Sequence, residues 1–373
     1  MDIHSIKTPS LLLDLERVKT NGERIGNVAK QNNVRLRPHI KTHKCIEVAR
    51  IQTAGHDGAI TVSTLAEAKA FSKHGFSDIT YAVPIERGKF EEAIEILRSG
   101  VKLNLLSDDA ATVKDLDEAS GKAGVNFNVF LKIDCGTHRV GVEPHTAAAI
   151  DIPRQISDAA NLNFAGILTH AGHSYDVRSV EAVKEVARHE RDCMVELAER
   201  LRDASIEVPI VSIGSTPTIN HVDHLKGVDE VRPGNYIFFD AFQATLGSCS
   251  FGDTALTVLA AVIHRDTQRQ KIVVDAGAIA LSKDRGPVSI DPGCGYGHVL
   301  DLDGNETGMR VTSLSQEHGE IQAADDATLE HFPVGSRVRI LANHSCLTAA
   351  QHSHYNVLEN MEIVDRWDIH RGW

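Results

Sequence analysis

The chain has 373 residues, 42% apolar and 24% charged, a balance that fits a globular protein and excludes a disordered or fibrous one. That length suits one large domain with a smaller one beside it. The net charge of −12 is spread along the chain and argues against a nucleic-acid partner, because phosphate binding needs a basic face working here against the whole-molecule field.

The start, Met1 to Lys7, carries charge and no apolar core of signal-peptide length, and the longest apolar runs, such as Leu256 to Ile263, fall far short of a membrane span. Six cysteines, at 45, 135, 193, 249, 294 and 346, form no CxxC pair. Such usage predicts a reduced, cytoplasmic protein in which a single cysteine is either a ligand or an inert core residue.

Up to about residue 240, β-rich runs alternate with helical patterns. The β-like runs lie at 35–38, 58–62, 79–82, 103–106, 127–133, 164–169, 209–213 and 230–232, with helical spacing at 64–73, 89–98 and 180–202 among others. Eight strands alternating with helices is the requirement of an α/β fold of the (β/α)8 TIM-barrel type, with a doubly wound open sheet as the alternative. In a barrel, functional side chains follow the C-terminal ends of the strands. Those positions hold Lys41 after the first strand, Arg139 after the fifth, and His170, His173 and Tyr175 after the sixth. Ser215 and Thr216 follow the seventh, and Gly234, Asn235 and Tyr236 the eighth.

After about residue 247 the texture changes. Strand-like runs at 256–264, 271–275, 337–341 and 355–364 are separated by Gly- and Pro-containing intervals such as Asp291-Pro-Gly-Cys-Gly-Tyr-Gly297, with no long amphipathic helix. This predicts a second, C-terminal antiparallel β domain, giving a barrel over 12–247 and a β domain over 248–373.

Three segments carry chemistry. In Arg37-Pro38-His39-Ile40-Lys41-Thr42-His43-Lys44, Lys41 lies nearest the strand end, where desolvation can lower its pKa and make it an imine-forming amine; a solvated basic loop is the plain alternative. In Val211-Ser212-Ile213-Gly214-Ser215-Thr216-Pro217-Thr218, a strand runs into a Gly, two hydroxyl residues and a proline suited to a first helical turn, a seat for phosphate. An ordinary helix cap explains Ser215 or Thr216 equally well, but barrels commonly bind phosphate after this strand, and Arg232-Pro233-Gly234-Asn235-Tyr236 can close the other side. In Asn343-His344-Ser345-Cys346, directly after a strand-like run, alternate residues of an extended chain would project to one face, letting His344 and Cys346 hold one cation. Two protein ligands leave positions open for water and substrate, and thiolate with imidazole favours zinc, with His352 and His354 as alternative ligands.

Together these segments resemble the D-serine dehydratase / D-threonine aldolase family, the metal-dependent branch of the alanine-racemase-like, fold type III pyridoxal-phosphate enzymes. The resemblance runs nearly the whole length. It is carried by Thr8-Pro9-Ser10-Leu11 to Asp14, by Arg37 to Thr42, by Lys132-Ile133-Asp134-Cys135-Gly136-Thr137-His138-Arg139-Val140-Gly141 and by Thr169-His170-Ala171-Gly172-His173-Ser174-Tyr175. Gly214 to Thr218, Arg232-Pro233-Gly234 and Asn343 to Cys346 complete it.

The resemblance implies that Lys41 binds pyridoxal 5′-phosphate and removes the α-proton, that Arg139 stands beside the cofactor ring and that Tyr175 lies beneath the pyridine nitrogen. It places Gly214, Ser215, Thr216, Gly234, Asn235 and, in the same segment, Tyr236 at the cofactor. It makes His344 and Cys346 the ligands of a divalent metal, zinc first and manganese or cobalt as alternatives. It also implies a homodimer in which residues 1–11 join the β domain. The expected reaction is the dehydration of a small D-β-hydroxy amino acid, D-serine or D-3-hydroxyaspartate, to a 2-oxo acid and ammonia. Retro-aldol cleavage to glycine and an aldehyde is the rival, disfavoured because the aldolases tend to carry a carboxylate where this chain has Cys346. Racemisation needs a second base that cannot be assigned. A non-catalytic role in pyridoxal-phosphate homeostasis is the further alternative, opposed by the long segment after the barrel.

Overall fold

The computed structural model describes residues 2–373. The chain parts into two compact units: a barrel unit of Glu23–Lys41, Ala49–Gly234 and Arg371–Trp373, and a β unit of the chain up to Gly22, Thr42–Val48 and Asn235–His370. The backbone therefore passes from one unit to the other at Gly22/Glu23, Lys41/Thr42, Val48/Ala49, Gly234/Asn235 and His370/Arg371.

The first strand, β1 (Ser10–Asp14), belongs to the β unit, and the next eight build the barrel. They are β2 (Arg35–Leu36), β3 (Ile60–Val62), β4 (Asp78–Pro84), β5 (Lys102–Ser107), β6 (Phe127–Lys132), β7 (Leu162–Leu168), β8 (Val211–Ile213) and β9 (Glu230–Val231). Neighbours pair in parallel in the order β2-β9-β8-β7-β6-β5-β4-β3. The ring closes where Thr61 N–H donates to the Pro38 carbonyl at 2.9 Å, beside a parallel bridge between His39 and Thr61. Each expected β run holds one of these strands, and a closed TIM-like barrel replaces the open-sheet alternative. Strands such as Ile60–Val62 and Val211–Ile213 are buried throughout, as parallel strands covered on both faces must be. Helices between them start on strong signals: Thr64 and Glu67 form a reciprocal capping box for Leu65–Ser72.

A polar column also runs inside this barrel. The fully buried Arg37 guanidinium donates to Glu230 at 2.6 Å and to Asp78 at 2.7 Å. The other Glu230 oxygen accepts from the Ser212 hydroxyl at 2.7 Å, and that hydroxyl accepts from Arg232. The links pair opposite charges and so tolerate burial, although Arg37 Nη2 finds no partner among the described residues; deleting one member leaves an uncompensated charge, at about 3–5 kcal/mol for a fully buried pair.

The β unit contains β1, β10 (Leu256–Asp266), β11 (Lys271–Val274), β12 (Gly297–Leu300), β13 (Glu306–Leu314), β14 (Gly319–Gln322), β15 (Arg337–Ala342), β16 (His354–Glu359) and β17 (Glu362–Asp368). Six strands close a small antiparallel barrel in the order β10-β11-β14-β13-β12-β15, returning to β10. The long β10 manages both ends by a register shift between Val262 and His264: its first half pairs with β15 and its second with β11. β1 extends the sheet, antiparallel to β10 and parallel to β16. Ile3, Ile6, Leu12, Leu259 and Leu358 form one apolar cluster around this added strand.

Two expectations need correction. The run at 355–364 is not one strand but the β16–β17 hairpin, turned at Asn360 and Met361, both at positive φ. β12, β13 and β14 were not foreseen, being short or studded with exposed positions. Among the described residues, no helix is long and apolar enough to cross a membrane.

Candidate active site

Lys41 sits in the short turn Ile40–Thr42 that follows β2, and its backbone N–H donates to His39 Nδ1 at 3.3 Å. The turn opens on a cavity of about 310 Å³ within the barrel unit, lined by His39, Lys41, Ser63, Lys132, Arg139, His170, Gly214 and Arg232 among others. Every one of these follows or ends a barrel strand, or lies in the loop just beyond it. Of the residues expected from the sequence, Lys41, Arg139, His170, Gly214 and Arg232 line the cavity. Ser215 and Thr216, buried one step behind Gly214, and Tyr175, which ends the turn Gly172–Tyr175, are not lining residues.

His39 and Lys132 are lining residues that sequence reasoning did not select, and they stand beside Arg232, read from the sequence as part of the segment that closes the phosphate seat. The strand-end rule would have found Lys132, which closes β6. Their charge sets the character of the cavity. Burial pushes the Lys132 amine down to about 8, with Cys135 opposing and Arg232 and Arg139 adding to the fall. Burial likewise lowers Arg232 to about 10 despite Glu230 and Glu190, and its guanidinium donates to the Thr169 carbonyl and the Ser212 hydroxyl. His170 is held well below its ordinary 6.5, first by removal from water and then by Lys41, Lys132, Arg139 and Arg232. At neutral pH it is therefore an uncharged ring among four cations, and no carboxylate belongs to the lining.

Behind Gly214 stands a buried carboxylate. Glu190, on the helix Val180–Asp203, accepts from the N–H of Ala171 at 3.0 Å and of Gly214 at 3.1 Å, and from the Thr218 hydroxyl at 2.9 Å. It thus ties the loop after β7 to the loop after β8. Gly214 has φ +112°, and a Cβ there would lie 3.0 Å from Ile219, so only glycine fits without displacement. Ser215 is the N-cap of the helix Thr216–His221: its hydroxyl bonds Thr218 N–H at 3.4 Å and shares a 3.0 Å contact with Ser174.

The other expected residues lie in the β unit or at its edge. Gly234 is the last residue of its barrel segment, and Asn235 and Tyr236 open the short turn Asn235–Ile237. Asn235 Nδ2 donates to Asp240 at 2.8 Å and to Ser345 Oγ at 3.0 Å, and lies 3.6 Å from Cys346 Sγ. Its Oδ1 is buried with no partner among the described residues, the mark of a polar group that awaits a ligand or water.

His344 and Cys346 do come together, though not as alternate residues of a strand. β15 ends at Ala342; His344 is the N-cap of the helix Ser345–Ala349, and Cys346 lies in its first turn. The strand stops because Asp240 captures the Ser345 N–H at 2.9 Å, turning the chain into a helix start. The ring of His344 bonds Asp284 through Nδ1 at 2.6 Å and also bonds the Cys346 thiol. Burial opposes charge on this imidazole, yet Cys346, Asp284 and Asp240 raise its pKa well above 6.5. Cys346 Sγ also donates to the hydroxyl of Thr42, the residue after Lys41, at 3.3 Å. His352 and His354, the alternative ligands, are engaged elsewhere, by the Ala280 carbonyl and by Ser353 and Arg366. No group of three or more His, Cys, Asp or Glu side chains disposed to hold a metal exists among the described residues.

Comparison with known proteins gives consistent matches. The family described as alanine racemase, N-terminal domain, matches residues 13–241, and the one described as putative serine dehydratase domain matches residues 255–358. D-threo-3-hydroxyaspartate dehydratase of Delftia sp. is 39% identical over 99% of this chain and 98% of its own. Its solved structure superposes with a TM-score of 0.96 over the whole of both chains, and a metal-free mutant form of it is also known. D-serine dehydratase of Dictyostelium discoideum is 35% identical over 100% of this chain and 98% of its own. D-threonine aldolase of Filomicrobium marinum is further away, at 29% identity and a TM-score of 0.87 over 99% of this chain and 97% of its own.

Proposed function

This chain belongs to the family described as alanine racemase, N-terminal domain, with a putative serine dehydratase domain after it, and on that premise we propose that it is a pyridoxal-phosphate- and divalent-metal-dependent dehydratase of a D-β-hydroxy amino acid. The products are a 2-oxo acid and ammonia, and the substrate is D-serine or a D-3-hydroxyaspartate. Zinc is the metal, and the enzyme works as a homodimer in the cytoplasm, in keeping with six cysteines that form no disulfide.

Both cofactors pass a test of fit against the residues present. Pyridoxal phosphate is anionic, and the barrel cavity offers Lys41, Lys132, Arg139 and Arg232 with no carboxylate in its lining. A thiol beside an imidazole with carboxylates behind it is a donor set for a borderline-soft divalent cation rather than for magnesium or calcium. When bound, the organic cofactor supplies an electron sink for the Cα–H bond and the metal a Lewis acid for the departing hydroxyl.

The chain's own residues do the rest. Lys41 would hold the cofactor through Nζ, and the same nitrogen is the group placed to accept the Cα proton. Arg139, exposed at the cavity edge, orients anionic groups. Gly214 permits close approach of the backbone, and the Glu190 tie keeps the two loops in place. His344 and Cys346 hold the cation, and Thr42 links that thiol along the chain to Lys41.

Cys346 is the observation that carries dehydration over carbon–carbon cleavage, supported by the higher identity to dehydratases than to the aldolase. A product assay on D-serine, D-threonine and both D-3-hydroxyaspartates tests the proposal. Ammonia with an oxo acid is expected; glycine with an aldehyde would replace it by the aldolase reading.

A further inference from the structure

We infer that the metal is bound through Nε2 of His344 and that Asp284 is the positioning residue that makes this nitrogen available. The inference rests on the reading above, in which His344 and Cys346 hold a divalent cation.

Asp284 Oδ2 lies 2.6 Å from His344 Nδ1. An ionised carboxylate can only accept, so Nδ1 carries the hydrogen and the lone pair that remains for a cation is on Nε2. One side chain thereby settles the tautomer and the rotation of the ring together.

Asp284 is itself held. Its Oδ1 accepts from Gly286 N–H at 2.8 Å, and its own N–H donates to Ser282 Oγ at 3.0 Å. Asn343, the residue before His344, donates Nδ2 to the Arg285 carbonyl at 2.9 Å and so pins the Asp284 loop to the ligand loop. That approach needs Gly286, at φ +54°, where a Cβ would meet the Asn343 carbonyl at 3.3 Å. Ser282, at φ +70° and ψ 159°, occupies a region that L-residues rarely adopt. An incidental surface ion pair has no such scaffold behind it.

The ligand loop does not depend on Asp284 for its own shape. Asp240 separately fixes it through Ser345 N–H at 2.9 Å and Asn235 at 2.8 Å. Removing Asp284 therefore frees the ring without freeing the backbone. With only two protein ligands and no third donor group among the described residues, a loss of ring orientation falls on half of the protein's grip. Outer partners of metal-bound histidines typically contribute roughly 10–100-fold in affinity.

The test uses the pyridoxal-loaded protein, with zinc affinity read by chelator competition and cobalt substitution read by the thiolate-to-cobalt absorption band. Asp284→Ala is expected to weaken zinc binding by roughly 10–100-fold. Asp284→Asn, which keeps an acceptor for Nδ1–H but loses the charge, should fall between it and the wild type. The thiolate–cobalt band at saturation, the cofactor absorption and the melting temperature of the metal-free variants should stay at wild-type values. A purely structural role would instead lower that melting temperature, and it overturns the inference, as does wild-type zinc affinity in Asp284→Ala. A wild-type protein that takes up neither zinc nor cobalt would remove the metal site itself, and with it the metal-dependent reading above.

Discussion

The carboxylate of Glu190 accepts the backbone N–H of Gly214 at 3.1 Å from a position with no exposure to solvent. The same oxygen accepts from Ala171 N–H and the other from the Thr218 hydroxyl, so one side chain satisfies three donors. Glu190→Ala is expected to cost about 1–3 kcal/mol of stability and to loosen cofactor retention, measured by thermal melting and by cofactor titration. Glu190→Gln keeps the oxygen that faces both N–H groups and should stay within about 1 kcal/mol of wild type. Burial lifts the carboxyl above its ordinary 4.5, against the three hydrogen bonds. The folded state then holds the proton more tightly, so wild-type stability falls as pH rises through that shifted range, and the Gln variant should lack this slope.

Lys41→Ala should abolish the absorption of the lysine-bound cofactor and lower turnover by on the order of 10³-fold. The readouts are the visible spectrum and ammonia release from the best substrate. Retention of both by the variant would exclude Lys41 as the cofactor lysine.

Chelation of the metal should leave the cofactor spectrum in place while ammonia release drops by roughly two to three decades, the equivalent of several kcal/mol of Lewis-acid stabilisation. His344→Ala and Cys346→Ala should behave alike and resist rescue by added zinc at concentrations that restore the chelated wild type. Full turnover after chelation would take the metal out of the mechanism.

Asp78 predicts an acid sensitivity with a definite sign. Burial acts to raise its pKa, but the guanidinium groups of Arg37 and Arg35 win and hold it well below the ordinary 3.8. A carboxyl depressed on folding contributes stability that is complete above 3.8 and lost as pH falls toward the folded value. Since this side chain is partly exposed, screening limits the contribution to about 1–2 kcal/mol. Asp78→Asn should therefore be less stable than wild type at pH 7, with the gap closing in acid, as followed by melting temperature between pH 7 and pH 2. A gap that stayed constant down to pH 2 would contradict this.

The parallel barrel was legible because its strands are buried on both faces and so read as continuous apolar runs set between helical spacings. β13 hides its strand character behind exposed residues on one face, and β12 has only four residues. The β16–β17 turn was invisible because Asn360-Met361 lacks the glycine that usually announces a tight hairpin. Lys41, His344 and Cys346 were readable as residue types at suggestive places, whereas their supporting carboxylates were not. Asp240, Asp284 and Glu190 lie 105, 60 and 24 residues from the groups they hold, and nothing in a linear pattern links them. The extended-chain argument for the thiol–imidazole pair reached the right neighbours through the wrong backbone, because the Asp240 cap is a long-range event.

The repeated crossing of the backbone between the two units, at Lys41/Thr42 and Gly234/Asn235 among other points, bears on how this protein can be taken apart. A fragment ending at residue 234 would carry β1 and the stretch Thr42–Val48 without the strands they assemble with, while the complementary fragment would lack an inner strand of its own sheet. Gene fission at the apparent boundary should thus yield two insoluble halves rather than a cofactor-binding module and a metal-binding one, and recombination with relatives should succeed only where the opening segment travels with the C-terminal sheet.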